Sequence, residues 1–211
     1  MYEVNIRAFS AADDFAGVEA RMDSIKALGV NVIWLMPVYA EGTDNSPYCV
    51  QDCFQVNPEF GPLSDLQNFA SIAHSKGMAV ILDWVTDGTS FNNIWIELGD
   101  KSWYLLNAAG QIEANPDYAD IAQLNYANKT ADNALLQGMQ YWLLKANVDG
   151  FRCDNVTNEP DSFWTMTLDS LRKSNHKLVL LAEGNRSFYF NCGFQMDYGW
   201  DYFSALENVK G

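Results

Sequence analysis

Apolar residues fall along this chain in two alternating rhythms. Dense runs of strand-forming residues cover 2–9 (YEVNIRAF), 30–37 (VNVIWLMP), 78–85 (MAVILDWV), 148–154 (VDGFRCD) and 177–184 (KLVLLAEG). Between these runs the apolar positions recur at steps of three and four, the spacing of one helical face. In 15–29, Phe15, Val18, Met22, Ile25 and Leu28 share such a face and Gly29 stops it. Helices are also predicted over 63–77, with Ser64 as N-cap and Gly77 as C-cap, and over 131–147, 161–175 and 198–211. The run 30–37 lacks polar alternation, as in a strand buried on both faces, and Pro37 ends it. Residues 38–62 read as loop, rich in Pro, Gly and Asn. Residues 86–130 break the rhythm; they are polar and turn-rich, with only local hints of strand or short helix.

Five strands alternating with helices predict right-handed β-α-β units and a parallel sheet, either open and doubly wound or closed into a (β/α) barrel. No glycine-rich phosphate loop follows any of the strands, so nucleotide binding has no support. The formal charge of −14 speaks against nucleic acid and against an anionic membrane surface, both of which need a basic footprint. No segment is long and apolar enough to span a membrane. Met1 runs directly into the first predicted strand with no signal peptide, which leaves two locations open: cytoplasmic, or extracellular or periplasmic with a leader removed. Cys49, Cys53, Cys153 and Cys192 fit no zinc pattern and read as buried thiols, with a Cys49–Cys53 bridge as the alternative. His74 and His176 read as surface or packing residues. The seven Trp, ten Tyr and twelve Phe suit a large core, or a cleft with flat faces for sugar rings.

The chemistry collects at the strand ends. Asp83, Asp154 and Glu183 close three of the predicted strands, and in parallel α/β folds that end carries the active site. Asp154 and Glu183 are 29 residues apart, one β-α-β repeat, which puts them on neighbouring strands at one level. Two carboxyls so placed suit a retaining glycosidase. Arg152 lies two residues before Asp154 and shares its face, so it is expected to keep Asp154 ionised as a nucleophile. Glu183 follows LVLLA, and apolar surroundings would keep it protonated as a general acid. The plainer alternative is a structural Arg–Asp pair beside a solvated Glu.

The segments GVEARMDSIKALGVNVIWLMPVY, SPYCVQDCFQVNPEFGPLSDLQNFASIAHSKGMAVILDWV and QYWLLKANVDGFRCD, followed by LAEG, resemble the α-amylase superfamily of retaining glycoside hydrolases in order and spacing. The resemblance implies a (β/α)8 TIM-type barrel of which about the first five β/α units are present, with an excursion after the third strand. It divides the chain into barrel strands one to three (1–85), an inserted subdomain (86–130) and barrel units four and five (131–211). It casts Asp154 as nucleophile, Glu183 as acid/base and Arg152 as the residue orienting Asp154. Asp83 would hydrogen-bond Arg152, Tyr48 would stack on the sugar, and Asp52 would support the substrate loop. The implied partner is an α-linked glucan, as starch or maltooligosaccharide.

Three departures from the family pattern stand out. Asp87 and Gly88 occupy the place of an Asn-His pair. Gln123 and Asn158 stand at two further positions tied to the calcium site of many members, which puts calcium in doubt and leaves no cofactor clearly implied. The later strands, with a third catalytic Asp, are not in the 211 residues, so the chain reads as the amino-terminal part of such a barrel. The alternative to an enzyme is a partial barrel that binds α-glucan with little or no turnover. Unclosed barrel edges would also favour self-association.

Overall fold

The strand ends named above come together because five strands form one parallel sheet in chain order. In a computed structural model, which describes residues 1–44, 46–99, 101–174 and 177–209, the elements are β1 (Tyr2–Val4), α1 (Ile6–Phe9), α2 (Phe15–Glu19), α3 (Met22–Ala27), β2 (Val32–Leu35), β3 (Tyr39–Glu41), β4 (Val50–Val56), α4 (Leu63–Ser75), β5 (Ala79–Trp84), β6 (Gly88–Ser90), α5 (Ile94–Glu97), β7 (Ile121–Gln123), α6 (Lys129–Lys145), β8 (Gly150–Cys153), α7 (Asp161–Ser174), β9 (Val179–Ala182), α8 (Phe188–Cys192) and α9 (Trp200–Val209). The sheet order is β1-β2-β5-β8-β9, every neighbouring pair parallel. This is the α/β architecture that the alternation predicts. His176 and the last residues of two predicted helices (175, 210 and 211) lie outside the described residues.

Both faces of the sheet are buried, which is why its strands show no polar alternation. Ile33, Leu35, Val80, Leu82, Phe151, Cys153, Leu180 and Ala182 join the main apolar core with the helices. The alternate positions Trp34, Ile81, Asp83, Arg152 and Leu181 are also buried, on the other face. Gly150 makes one of the strand pairings feasible. A Cβ there would lie 1.9 Å from the Val179 carbonyl oxygen of β9, so any side chain would push the two strands apart.

Several elements differ from expectation. The first strand stops at Val4, and Ile6 turns into the core from α1 instead of extending the ladder. The helix predicted over 15–29 is two helices, broken where Arg21 leaves helical geometry (φ −110°, ψ 5°). Phe15, Val18, Met22 and Ile25 are still buried, but Leu28 is 71% exposed. The segment 38–62 contains the antiparallel pair β3–β4. Its buried positions Val50, Cys53 and Val56 are three apart, because the register shifts on either side of Ala40, and no period of two survives to be read. Pro62 occupies the N-cap position of α4, and Ser64 bonds Asp65 instead. At the other end Lys76 is the C-cap, and Gly77 follows it with φ +67°. All four cysteines are free and buried. His74 pairs with Asp149 at 2.8 Å, and Asp149 also accepts from the Val80 backbone N–H, which ties α4 to the sheet. Among the described residues no helix is long and apolar enough to cross a membrane.

Residues 86–130 carry the short antiparallel pair β6–β7, α5 and a 3-10 turn at Lys101–Trp103. Their small apolar cluster includes Trp95 against Trp103, ring centres 5.1 Å apart. The α9 helix has no buried residue and exposes Tyr202, Phe203, Leu206 and Val209.

Candidate active site

A cleft of about 660 Å3 opens over the carboxyl ends of β5, β8 and β9, and Asp154, Glu183, Arg152 and Tyr48 all line it. The register explains the convergence. Asp83 pairs with Arg152 across β5–β8, and Cys153 with Ala182 across β8–β9, so the next residues, Asp154 and Glu183, leave the sheet side by side.

Arg152 is the hub. Its Nη1 donates to Asp83 Oδ1 at 2.8 Å and to Asp154 Oδ1 at 2.5 Å, and its Nη2 meets Glu183 Oε2 at 2.6 Å. The guanidinium lies 5.0 Å from the Trp34 ring centre and 5.6 Å from that of Tyr198, and Nε donates to the Tyr198 hydroxyl at 3.2 Å. Burial opposes its charge, but Asp83 and Asp154 outweigh burial and hold it firmly protonated. Asp83 is fully buried and accepts from Trp34 Nε1 (3.1 Å) and the Tyr48 hydroxyl (3.3 Å) as well as from Arg152. Burial raises its pKa to about 6 despite Arg152.

One guanidinium serves three carboxylates, and this overturns the electrostatic expectation for Asp154. Burial, then the charge on Asp83, raise Asp154 to about 8, and Arg152 only partly offsets them. Glu183 adds to the rise and stands close enough for one protonated carboxyl to donate to the other. The expectation of apolar surroundings for Glu183 also fails. Leu180 and Ala182 face the helices, while the Glu183 side chain is 26% exposed and accepts from the Asn155 backbone N–H at 2.9 Å.

Tyr48 sits in the cleft wall with its hydroxyl on Asp83. Asp52 is not among the lining residues; it accepts from the Phe54 N–H at 2.8 Å and holds its own bulged strand. Sequence reasoning missed Trp34, Tyr198, Trp200, Asn155 and Tyr118. Trp34 is one strand over, level with Ile81, and its indole reaches Asp83 two residues further on; its signal was the alternate-face position in β2. Tyr118 enters from the segment with no readable period. It is 53% exposed, and burial and then Asp154 raise its pKa.

Gly88 shows why no side chain can occupy that position. A Cβ there would meet the Ala122 carbonyl oxygen at 2.3 Å and Ile121 Cγ2 at 2.4 Å, so β6 closes directly on β7. Asp87 is buried beside the equally buried Glu159. Burial raises Asp87 to about 6 and moves Glu159 up as well, in its case with Asp87 as the next cause. Asp87 Oδ1 and both Glu159 oxygens lack hydrogen-bond partners when both groups are written as carboxylates. A calcium cage needs six to eight oxygens. Here two amide nitrogens, from Asn155 and Asn158, turn toward Asp87 Oδ2, and among the described residues no group of three acidic, His or Cys side chains is placed to hold a metal ion. This donor set does not fit calcium. Burial favours the protonated form of both carboxyls instead.

Comparison with known proteins agrees with this geometry. The family described as "Alpha amylase, catalytic domain" matches residues 8–97. The crystal structure of an α-amylase from Lactobacillus plantarum superposes with a TM-score of 0.91 at 29% identity, covering 98% of this chain and 54% of that one. The "Alpha-amylase MalA" of Haloarcula japonica is 27% identical over all of this chain and 33% of its own length. A human protein named "Amino acid transporter heavy chain SLC3A1" is 24% identical over 74% of this chain and 28% of its own. The chain thus spans about half the length of that solved structure and about a third of these curated relatives. Its parallel sheet, the carboxylates at one rim and these likenesses together match part of the catalytic barrel of the α-amylase superfamily.

Proposed function

We propose that the cleft cleaves α-linked glucans, starch or maltooligosaccharides, with retention of configuration. The observation that carries this reading is the single buried Arg152 joined to Asp83, Asp154 and Glu183 at the ends of three successive parallel strands. Asp154 attacks the anomeric carbon while Glu183 gives its proton to the departing glycosidic oxygen, and a glycosyl ester on Asp154 results. Glu183, now ionised, takes a proton from water as that water displaces the sugar from Asp154, which restores both carboxyls. Tyr48 supplies a flat face for the ring at the cleavage point.

The pair needs one proton for this chemistry, and the free site already holds one. In the empty cleft it rests on Asp154, where burial and Asp83 favour it. Transfer to the adjacent Glu183 as the sugar enters leaves an ionised nucleophile and a protonated acid, with no net change in charge.

A second reading, binding with little turnover, has specific support. Gly88 leaves no side chain at a position where the family pattern has His. One relative carries a transporter-subunit name. The two readings separate in steady-state hydrolysis of an activated maltooligosaccharide by the purified chain, beside Asp154→Asn. Hydrolysis that falls by about a thousandfold or more in the variant supports catalysis. Binding of the sugar with no hydrolysis above the variant's supports the second reading.

A further inference from the structure

The turn after Asp154 is made by a residue in an unfavourable backbone conformation. Asn155 has φ +42°, the left-handed region that few side chains accept and Asn tolerates. Its backbone N–H donates to Glu183 Oε2 at 2.9 Å. Its side chain is tied at both ends: Nδ2 donates to Asp87 Oδ2 at 2.7 Å, and Oδ1 accepts from Thr157 Oγ1 at 2.9 Å. The Thr157 bond fixes which end of the amide faces Asp87. Asp87 is itself buried, on the loop that follows β5, and holds Asn158 Nδ2 at 3.4 Å through the same oxygen. An anchor on one strand's loop therefore sets the orientation of a peptide group on the next.

We propose that Asn155 is a positioning residue for Glu183: Asp87 clamps its amide, the clamp holds the left-handed turn, and the turn aims one N–H at the Glu183 carboxylate. This rests on the acid/base role proposed for Glu183. Among the described residues the other charged contact of Glu183 is its ion pair with Arg152 Nη2, and Arg152 also serves Asp83 and Asp154, so it fixes one point of a shared cluster. The Asn155 N–H adds a second hold on that same oxygen, Oε2, and the two contacts together fix where it sits, where the ion pair alone leaves it free to swing. The charged and titratable groups facing this corner include Arg152, Asp154, Asp87, Tyr118 and Tyr198, with Glu159 behind Asp87.

The test follows the Asn155 amide-proton NMR resonance together with the kinetics of maltooligosaccharide hydrolysis. The resonance needs no turnover, so a chain that fails to hydrolyse sinks the hydrolytic reading while the NMR arm still decides this proposal. The variants are Asp87→Ala, Asn155→Gly and their combination. Glycine adopts positive φ without strain, so Asn155→Gly keeps the turn accessible and removes only the clamp. The wild-type resonance is expected downfield and to move upfield in both Glu183→Gln and Asp87→Ala. In each clamp variant kcat falls about tenfold, as for loss of one charge-assisted orientation. KM stays within about twofold, because the Asn155 and Asp87 side chains are spent on each other and on Thr157. The double variant is no slower than the slower single, since both act through one chain of contacts. A resonance unmoved by Asp87→Ala, or kcat losses that multiply in the double variant, overturns the proposal. If Asp87→Ala does not fold, Asp87→Asn replaces it. That variant keeps an acceptor for Asn155 and must lower kcat less than Asn155→Gly; an equal or larger loss overturns the proposal.

Discussion

Asp154 carries the strongest prediction at the scale of single residues. Burial, then the charge on Asp83, raise its pKa to about 8, and Glu183 adds to the rise. Below that value Asp154 holds a proton that it can pass to the general acid; above it Asp154 has none to give. Hydrolysis should therefore fall on the alkaline side with an apparent pKa near 8 in kcat/KM, tenfold for each pH unit beyond it. A profile flat to pH 10 would show that the proton is not held there. The residue types and their spacing made Asp154, Glu183, Arg152 and Asp83 legible in the sequence, because a strand end is a position that periodicity can locate. The direction of the Asp154 shift was not legible. It depends on three carboxylates competing for one guanidinium, and the sequence shows the Arg beside Asp154 but not the crowd around it.

Among the elements, what decides the site is how closely β8 can approach β9. Gly150 permits it, with Val179 backbone atoms where a Cβ would sit. Gly29 also has positive φ but meets nothing within 4 Å. Gly150→Ala should lower stability by at least about 2 kcal/mol through overpacking and reduce activity, since Asp154 and Glu183 ride on the two strands it separates. Gly29→Ala carries only the conformational cost of about 1 kcal/mol and should leave activity intact. Urea midpoints of the two variants check the difference, and equal midpoints would contradict it. The five sheet strands and the longer helices α4, α6 and α7 were legible because each has a long periodic or continuously apolar signature. The β3–β4 pair was not, because its register shifts destroy the period, and α8 was not, because five residues are too few to show one.

For the molecule as a whole, folding buries acid. Asp83, Asp87 and Asp154 all have pKa values above their ordinary range in the folded chain, about 6, 6 and 8. A carboxyl whose folded pKa is raised binds more protons folded than unfolded, so its contribution is fully present below the unfolded value. It is lost as pH rises through the folded value. Stability should therefore decline between about pH 4 and pH 8, and the net charge of −14 adds repulsion in the same direction. Chemical denaturation at pH 5 and pH 8 reads this directly, and Asp154→Asn should flatten the upper part of the slope. A protein equally stable at both pH values would show that the three carboxyls are ionised without penalty.

The central claim is that Asp154 forms a covalent bond to the sugar. The most direct measurement is to incubate the chain with an activated fluorinated α-glucoside, digest it, and map the glycosylated peptide by mass spectrometry. The account predicts a single label on the peptide carrying Asp154, absent in Asp154→Asn. A label on Glu183, or a chain that hydrolyses the substrate with no label on Asp154, would contradict it.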